Sequence, residues 1–308
     1  MKAILSPNMT LRDLFQIPCF KEAGSLLFPT SDLKNLSLEQ SIESAAKQSL
    51  SWLPPHAIEG LNFTLEHGRY YAYPLGGSGC FVYPHPGAKR VLFILPGGGY
   101  GSLSTLAEGL PFAQQAFLAG DATVVVGYRY GKEAAYPNVL DDLAMAVSLV
   151  YQKRVLGEEV LPYTLLGFSA GGHLAGVFAS EAEGYSRYHL PSPSALALAY
   201  PVVSLLPPTN QETAMNFLGN LCGNLSWEKR FSLSDLLTPS FPPIYLWHCL
   251  EDPAVPSISL NRFVEAVRSQ GIDFHYRVYP GKGHGWALGE GTPAEGWFAE
   301  MLQWEKGK

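Results

Sequence analysis

An apolar stretch that turns sharply at a glycine-flanked serine constrains this chain more than any other feature. Tyr163–Phe168 is a mostly apolar run, Ser169 follows it, and small residues then dominate positions 170–180. Gly167 and Gly171 stand two residues to either side of the serine and leave room where a strand and a helix nearly touch. The stretch therefore predicts a strand, a tight turn that lifts the serine hydroxyl clear of a sheet, and a helix.

Apolar runs of strand length alternate with helix-like segments around this turn. Val91–Leu95 is apolar at every position, as expected for a strand covered on both faces. Strands that alternate with helices form right-handed crossovers, so we predict an α/β fold with a mostly parallel sheet flanked by helices. The remaining predicted strands are 80–83, 122–126, 163–168, 195–200, 243–247 and 274–279, and the predicted helices are 106–118, 143–155, 260–269 and 293–304.

The first 75 residues have a different pattern from the rest of the chain. Segments 11–15 and 38–53 have apolar residues at helical spacing, Pro54 and Pro55 end the second of them, and no chemistry-bearing motif appears. We predict that residues 1–75 form a helical extension packed on a main domain of residues 76–308. Within that domain, the long connection 202–241 is predicted to be a small cap insertion on the side of the sheet that holds the serine. Short helical pieces are predicted in it near 212–218 and 233–237.

Composition narrows the expected partners and location. The net charge is -6 and no cluster of lysine and arginine occurs, which disfavours nucleic acid and anionic membrane surfaces as partners. No apolar run approaches the roughly 18 residues of a membrane span, and the first residues lack the features of a signal peptide. The four cysteines are scattered and predicted to be free thiols. We therefore expect a cytoplasmic protein that needs no metal and no cofactor, since metal-ligand motifs are also missing.

A serine hydroxyl becomes a nucleophile at neutral pH when an imidazole takes its proton and a carboxylate orients that imidazole. In a parallel sheet such groups gather at the carboxyl ends of strands. Of the eight histidines, His284 lies in a glycine-rich loop directly after the last predicted strand, so we predict that it is the base. His248, at the end of strand 243–247, is the alternative and is interpreted as a packed residue. His173, four residues past the serine, is predicted to point away or to brace the turn.

The orienting acid is predicted in the loop after strand 243–247. Glu251 and Asp252 adjoin there, and Pro253 restricts the backbone next to Asp252. We prefer Asp252 and interpret Glu251 as a solvated neighbour. The order serine, aspartate, histidine along the chain is the one found with a G-x-S-x-G turn on a parallel sheet.

The glycine loop after Val91–Leu95 supplies candidate donors for an oxyanion. Gly98 and Gly99 have no side chain to obstruct their backbone amides, and Ala170 follows the serine directly. A phosphate-binding loop is disfavoured because no Lys-Ser or Lys-Thr pair follows the glycines. Tyr100 and Trp286, which border the two loops, are the candidate substrate-binding residues.

Taken together, these motifs resemble an α/β-hydrolase of the esterase/lipase group, near its carbohydrate-acetylesterase and hormone-sensitive-lipase-like branches. The resemblance covers residues 80–305 and implies the α/β-hydrolase fold, hydrolysis of esters by a serine and the triad predicted above. Pro96 stands where the lipase-like branch usually has histidine, which favours the esterase branch. The matching pieces are P-G-G-G-Y at 96–100, Y-R at 128–129, the helix entry 137–142, G-F-S-A-G-G-H at 167–173, D-P-A-V-P at 252–256 and G-K-G-H-G at 281–285.

The preferred hypothesis is a serine esterase that acts on small acyl esters, acetyl esters in particular, through an acyl-enzyme. Acetylated sugars are suggested as substrates by the resemblance only. Two alternatives stay open: an amidase or peptidase with the same triad, and a non-catalytic binding protein with a hydrolase fold. The expected partner is a small ester, and a homo-oligomer is compatible with the sequence.

Overall fold

The structure, a computed structural model, describes residues 5–28, 35–50, 56–74 and 78–308. Eight strands in these residues form one sheet in the order β1-β2-β4-β3-β5-β6-β7-β8. The β1–β2 and β2–β4 pairs are antiparallel, and the others are parallel. The strands are β1 (Arg69–Ala72), β2 (Gly79–Tyr83), β3 (Val91–Leu95), β4 (Ala122–Val126), β5 (Tyr163–Phe168), β6 (Ala195–Ala199), β7 (Ile244–Glu251) and β8 (Phe274–Lys282).

Helices surround this sheet within the described residues. The first five are α1 (Leu11–Phe15), α2 (Pro18–Glu22), α3 (Gly24–Leu27), α4 (Ile42–Leu50) and α5 (Ala57–His67). The next four are α6 (Thr105–Glu108), α7 (Leu110–Leu118), α8 (Asn138–Tyr151) and α9 (Ala170–Ala179). The last five are α10 (Gln211–Leu218), α11 (Leu225–Arg230), α12 (Leu233–Leu236), α13 (Ser257–Ser269) and α14 (Trp297–Glu305).

The centre of the sheet is the pair β3 and β5. Every residue of both strands is buried, as the apolar runs predict. Their parallel register runs from Val91 opposite Tyr163 to Leu95 opposite Gly167, so both strands end at the same edge. The loop after β3 and the turn after β5 are therefore neighbours.

The bounds of most predicted helices shift by a few residues, and two of these shifts have clear local reasons. The predicted helix 106–118 is two helices that meet at Gly109, because Pro111 occupies the first turn of α7 and cannot donate a backbone hydrogen bond. Helix α8 starts at Asn138, five residues before the predicted start at residue 143. Asp142 of this helix accepts hydrogen bonds from the backbone N–H and the Nε of Arg129, which fixes the chain after β4.

The first 75 residues are not entirely helical. Strand β1 lies in the range assigned to the extension and pairs with β2, with Tyr70 opposite Phe81. Helix α5 packs on the main domain, since Phe63 stacks on Tyr83 with 5.8 Å between ring centroids. The predicted helix stop at Pro54 and Pro55 lies outside the described residues. Strand β1 belongs to the sheet, and we propose that the extension ends before it.

The segment 202–241 carries α10, α11 and α12, of which α11 was not predicted. Phe217 of α10 packs edge-on against His173 of α9, with 4.9 Å between ring centroids. Asn216 donates a side-chain hydrogen bond to the carbonyl of Gly99 at 2.9 Å. The segment is therefore attached to the carboxyl edge of the sheet, beside the serine turn.

Glu305, at the end of α14, is a buried carboxylate whose negative charge is only weakly balanced by a nearby cation. It is 4% exposed, and the nearest guanidinium nitrogen, of Arg90, lies 3.7 Å away. Burial raises the pKa of Glu305 to about 7. A carboxyl group with a raised pKa in the folded state costs stability at a pH where it must be charged.

We expect Glu305→Gln to stabilise the protein at pH 8 by about 1 to 3 kcal/mol, because the amide carries no charge to bury. The gain should shrink as the pH falls through 7 and vanish near pH 4.5, where the carboxyl group is protonated in the folded and unfolded states alike. Urea unfolding at pH 5 and pH 8 measures it, with the exposed Glu158→Gln as control. An equal gain at both pH values would exclude the charge as its source.

Candidate active site

The backbone at Ser169 is held in a strained conformation between β5 and α9. Its φ is 50° and its ψ is -117°, backbone angles that residues other than glycine rarely adopt. A Cβ on Gly167 would lie 2.4 Å from the carbonyl oxygen of Gly171, and one on Gly171 would lie 2.2 Å from that of Leu95. The Ser169 N–H donates to the carbonyl of Ala199 on the next strand at 3.0 Å. The two glycines therefore permit the close packing that produces the turn.

Three side chains from distant parts of the chain meet at this turn. The Ser169 Oγ lies 2.9 Å from the Nε2 of His284, and the His284 Nδ1 lies 2.7 Å from the Oδ2 of Asp252. The other carboxylate oxygen accepts the backbone N–H groups of Ala254 and Val255 at 2.7 and 2.9 Å. Because the carboxylate is an acceptor, the Nδ1 carries the proton and the Nε2 is free to accept the proton of the serine. The arrangement can activate the hydroxyl as a nucleophile.

Two neighbouring strands place Asp252 and His284 at the same edge of the sheet. Strand β7 ends at Glu251, immediately before Asp252, and β8 ends at Lys282, two residues before His284. Glu251 pairs with Lys282 in the parallel register of these strands. The Gly283 N–H also donates to the carbonyl of Glu251 at 3.3 Å. The distance between Asp252 and His284 is therefore set by the pairing of two strands and not by two independent loops.

The glycine loop after β3 faces the serine turn. Gly98 and Gly99 have φ values of 127° and 60°, in the region that favours glycine. Within the residues that the structure describes, the backbone N–H groups of Gly98, Gly99 and Ala170 have no hydrogen-bond acceptor. Gly97 differs, because its N–H donates to the Oε2 of Glu108 at 2.7 Å. Three N–H donors thus remain available near the serine.

A cavity of about 390 Å³ opens beside the Ser169 hydroxyl. Its wall contains the glycine loop, His284, and side chains that are mostly small or polar. The cap helix α10 contributes Glu212 and Thr213, and Asn210 precedes it. The lining residues are Gly98, Gly99, Ser102, Ser104, Ala107, Glu108, Ser169, Asn210, Glu212, Thr213, Ala254, His284 and Gly285.

Neither predicted substrate-binding residue lines this cavity. The side chain of Tyr100 is fully buried, and its hydroxyl group hydrogen-bonds the Nδ1 of His173 at 2.9 Å. Trp286 packs beneath its own loop, where a Cβ on Gly283 would lie 2.0 Å from the indole nitrogen. Tyr100 is therefore a core residue, whereas Trp286 is partly exposed and packs against the backbone of its own loop.

The two other histidines considered from sequence are held away from the serine. His173 contacts the Tyr100 hydroxyl and also the carbonyl of Phe231 at 2.8 Å, and burial lowers its pKa to about 4. It is a neutral brace between α9 and the cap. His248 hydrogen-bonds the carbonyl of Cys249 and the hydroxyl of Tyr276, each at 2.8 Å.

Six residues of the cavity wall were not identified from the sequence as part of a site. They are Ser102, Ser104, Glu108, Asn210, Glu212 and Thr213. Asn210 does carry a readable signal, since its Oδ1 accepts the Thr213 N–H and caps α10. That signal marks a helix start but not which face of the helix meets the cavity. Glu108 carried no signal, because its partners Gly97 and Tyr200 come from separate parts of the chain.

Neither a metal-binding cluster nor a membrane-spanning helix is found among the described residues. They contain no group of three or more histidine, cysteine, aspartate or glutamate side chains placed to hold a metal ion. None of their helices combines the length and the apolar character needed to cross a bilayer.

A family model described as alpha/beta hydrolase fold matches residues 92–288. Three curated proteins are similar in sequence. Endo-1,4-beta-xylanase B of Butyrivibrio fibrisolvens is 26% identical over 70% of this chain and 36% of its own length. Acetylxylan esterase of Xylanibacter ruminicola is 28% identical over 68% and 43%, and ethyl acetate hydrolase of Pseudomonas putida is 29% identical over 61% and 59%. The chain thus spans 36% to 59% of the length of these relatives.

Solved structures are similar over more of the chain. The acetyl ester-xyloside bifunctional hydrolase of Caldicellulosiruptor lactoaceticus aligns with a TM-score of 0.65 at 22% identity, over 76% of this chain and 89% of that one. The carboxylesterase Cest-2923 of Lactobacillus plantarum WCFS1 aligns with a TM-score of 0.63 at 25% identity, over 78% and 97%.

We expect Gly171→Ala to destabilise the protein by about 1 to 3 kcal/mol or more, because the new methyl group meets the backbone of β3, which cannot move aside. The matched control is Gly307→Ala, whose Cβ would make an ordinary contact at 3.4 Å. Thermal unfolding of both variants measures the difference. A Gly171→Ala variant as stable as the control would show that the packing at the turn is loose.

Proposed function

The chain belongs to the alpha/beta hydrolase fold family, and on that premise we propose that it is a serine esterase that hydrolyses small acyl esters, acetyl esters in particular. The observation that carries the proposal is the hydrogen-bonded series from Ser169 through His284 to Asp252. The free N–H groups of Gly98, Gly99 and Ala170 support it, since acyl transfer also needs donors for an oxyanion.

In the proposed mechanism, the Nε2 of His284 takes the proton of Ser169 as the Oγ attacks the carbonyl carbon of the ester. Asp252 holds the imidazole in the required tautomer and stabilises the imidazolium that forms. The carbonyl oxygen becomes an oxyanion and accepts hydrogen bonds from the three free N–H groups. Donors already fixed in place cost no reorganisation during the reaction.

The tetrahedral intermediate then breaks its bond to the alcohol oxygen. His284 returns its proton to that oxygen, so the alcohol leaves neutral and the acyl group stays on Ser169. Water enters, gives a proton to the same imidazole and attacks the acyl-enzyme. A second collapse releases the carboxylic acid and restores the serine.

The lining of the cavity supports a small acyl group and a polar alcohol. Apart from glycines, its apolar residues are Ala107 and Ala254, which offer little surface to a long acyl chain. Ser102 and Ser104 present hydroxyl groups that suit an alcohol with further hydroxyl groups. We therefore propose an acetylated carbohydrate as the substrate class. The names of the relatives, acetylxylan esterase and ethyl acetate hydrolase, are consistent with it.

A cytoplasmic location remains part of the proposal. The four cysteines are free thiols, and two of them, Cys80 and Cys249, are buried. Free thiols are typical of a reducing compartment. The proposed partner is the small ester itself.

We expect Ser169→Ala to lower kcat/KM for p-nitrophenyl acetate by about a thousandfold or more, because the nucleophile is lost. The exposed Ser186→Ala is the matched control and should keep the activity. The corresponding p-nitroanilide, assayed alongside, separates an esterase from an amidase. Equal ester hydrolysis by Ser169→Ala and the control would contradict the proposed mechanism.

The charge of the cavity predicts a preference for neutral esters. Glu108 and Glu212 line it, and no lysine or arginine of the described residues does. We expect mono-p-nitrophenyl succinate to be a poorer substrate than p-nitrophenyl acetate. Glu212→Gln should raise kcat/KM for the anionic ester by about threefold to tenfold, because it removes a like charge, and leave the acetate nearly unchanged. The control is the exposed Glu181→Gln. An equal change for both esters would exclude charge selection.

A further inference from the structure

Glu108 is a buried carboxylate in the cavity that the proposed mechanism does not use. It is the last residue of α6 and is 5% exposed. Its two oxygens each accept one strong donor: the Gly97 N–H at 2.7 Å on Oε2 and the Tyr200 hydroxyl at 2.8 Å on Oε1. Burying a charge is costly, and these charge-assisted hydrogen bonds offset that cost.

The two donors belong to different walls of the site. Gly97 immediately precedes Gly98, one of the proposed oxyanion donors. Tyr200 follows β6, and its hydroxyl oxygen accepts the N–H of Ala287 at 3.1 Å. The Tyr200 ring also stands edge-on to the His284 imidazole, with 5.0 Å between centroids and 67° between planes. One carboxylate therefore connects the glycine loop to the loop that carries the base.

The charge of Glu108 also bears on the imidazole. Tyr200 and His284 are the titratable groups that face this carboxylate, and Gly97 is its other polar neighbour. Burial raises the pKa of Glu108, while the hydrogen bonds from Tyr200 and Gly97 and the charge of protonated His284 oppose that rise.

We propose that Glu108 is a positioning residue of the site: it fixes Gly97, so that the next two N–H groups face the oxyanion, and it fixes Tyr200 against His284. This inference rests on the proposed esterase function. It gives a role in acyl transfer to a carboxylate outside the triad.

The test is Glu108→Gln, because an amide has a single acceptor oxygen for two donors. One donor, either the Gly97 N–H or the Tyr200 hydroxyl, loses its partner whichever way the amide turns. We expect kcat for p-nitrophenyl acetate to fall about tenfold to a hundredfold, as on loss of an oxyanion donor, with KM nearly unchanged.

Glu228→Gln is the matched control. Glu228 is also buried, at 9% exposure, and accepts a backbone N–H, that of Gly223 at 2.8 Å, but it does not line the cavity. This variant should keep both kcat and KM. Tyr200→Phe keeps the ring and removes the hydroxyl, so it should lower kcat, and its effect should not add to that of Glu108→Gln.

An unchanged kcat in a folded Glu108→Gln variant would overturn the inference, as would a fall in kcat/KM that comes from KM alone. If Glu108→Gln does not fold, full activity of Tyr200→Phe would overturn it instead. Ser169→Ala keeps the two proposals apart. If that variant is inactive, these outcomes count against Glu108 alone, whereas an active one overturns the esterase mechanism itself.

Discussion

The close approach of three backbones, β3, β5 and α9, governs everything built at this edge of the sheet. Gly171 packs directly on the carbonyl of Leu95, the last residue of β3, and Gly167 packs on Gly171. A side chain at either position would push the helix away from the sheet. Because β3 and β5 are held in parallel register, the serine turn and the glycine loop are brought together before any side chain of the site interacts. The strained backbone of Ser169 is the cost of that packing.

The remaining groups are held by a second constraint, the pairing of β7 with β8. Asp252 and His284, the proposed acid and base, follow these two strands, and the pairing reaches the strands' final residues. Asp252 is also fixed by the N–H groups of its own loop. Positioning therefore comes from regular structure at two places in the sheet, with Glu108 and Tyr200 between them. Rigid support of this kind is what an acyl-transfer site requires, because small displacements are costly to catalysis.

Much of this architecture could be predicted from the sequence, and the family match confirms the α/β-hydrolase resemblance and fold class. The bounds of β3, β4 and β5 agree with the prediction because buried parallel strands are unbroken apolar runs. Strand β1 was missed, since Arg69–Ala72 is a short edge strand that is not fully buried. Helix α11 was missed for a similar reason, because in Leu225–Arg230 only Glu228 is buried.

The candidate site was predictable where it depends on loops that follow strands. Ser169, Asp252 and His284 stand after β5, β7 and β8, and the structure brings them within hydrogen-bond distance. Roles that depend on which way a side chain points were not predictable. Tyr100 has a positive φ of 57° that turns its ring into the core, and no pattern of neighbouring residues signals this. The same holds for Glu108, whose partners are distant along the chain.

The segment 202–241 has a consequence for how this protein can change over evolutionary time. Apart from Ser169 and His284, half of the polar residues of the cavity wall come from one short piece of chain, Asn210 and the start of α10, whereas the proposed reacting groups all lie on loops of the sheet. Exchange of a few residues in that piece alters what the cavity accepts and leaves the reaction machinery untouched. The bond from Asn216 to Gly99 limits this freedom, because it ties the exchangeable piece to the glycine loop. Substitutions in the first turn of α10 can therefore change the ligand preference most easily, and substitutions in its second turn least easily.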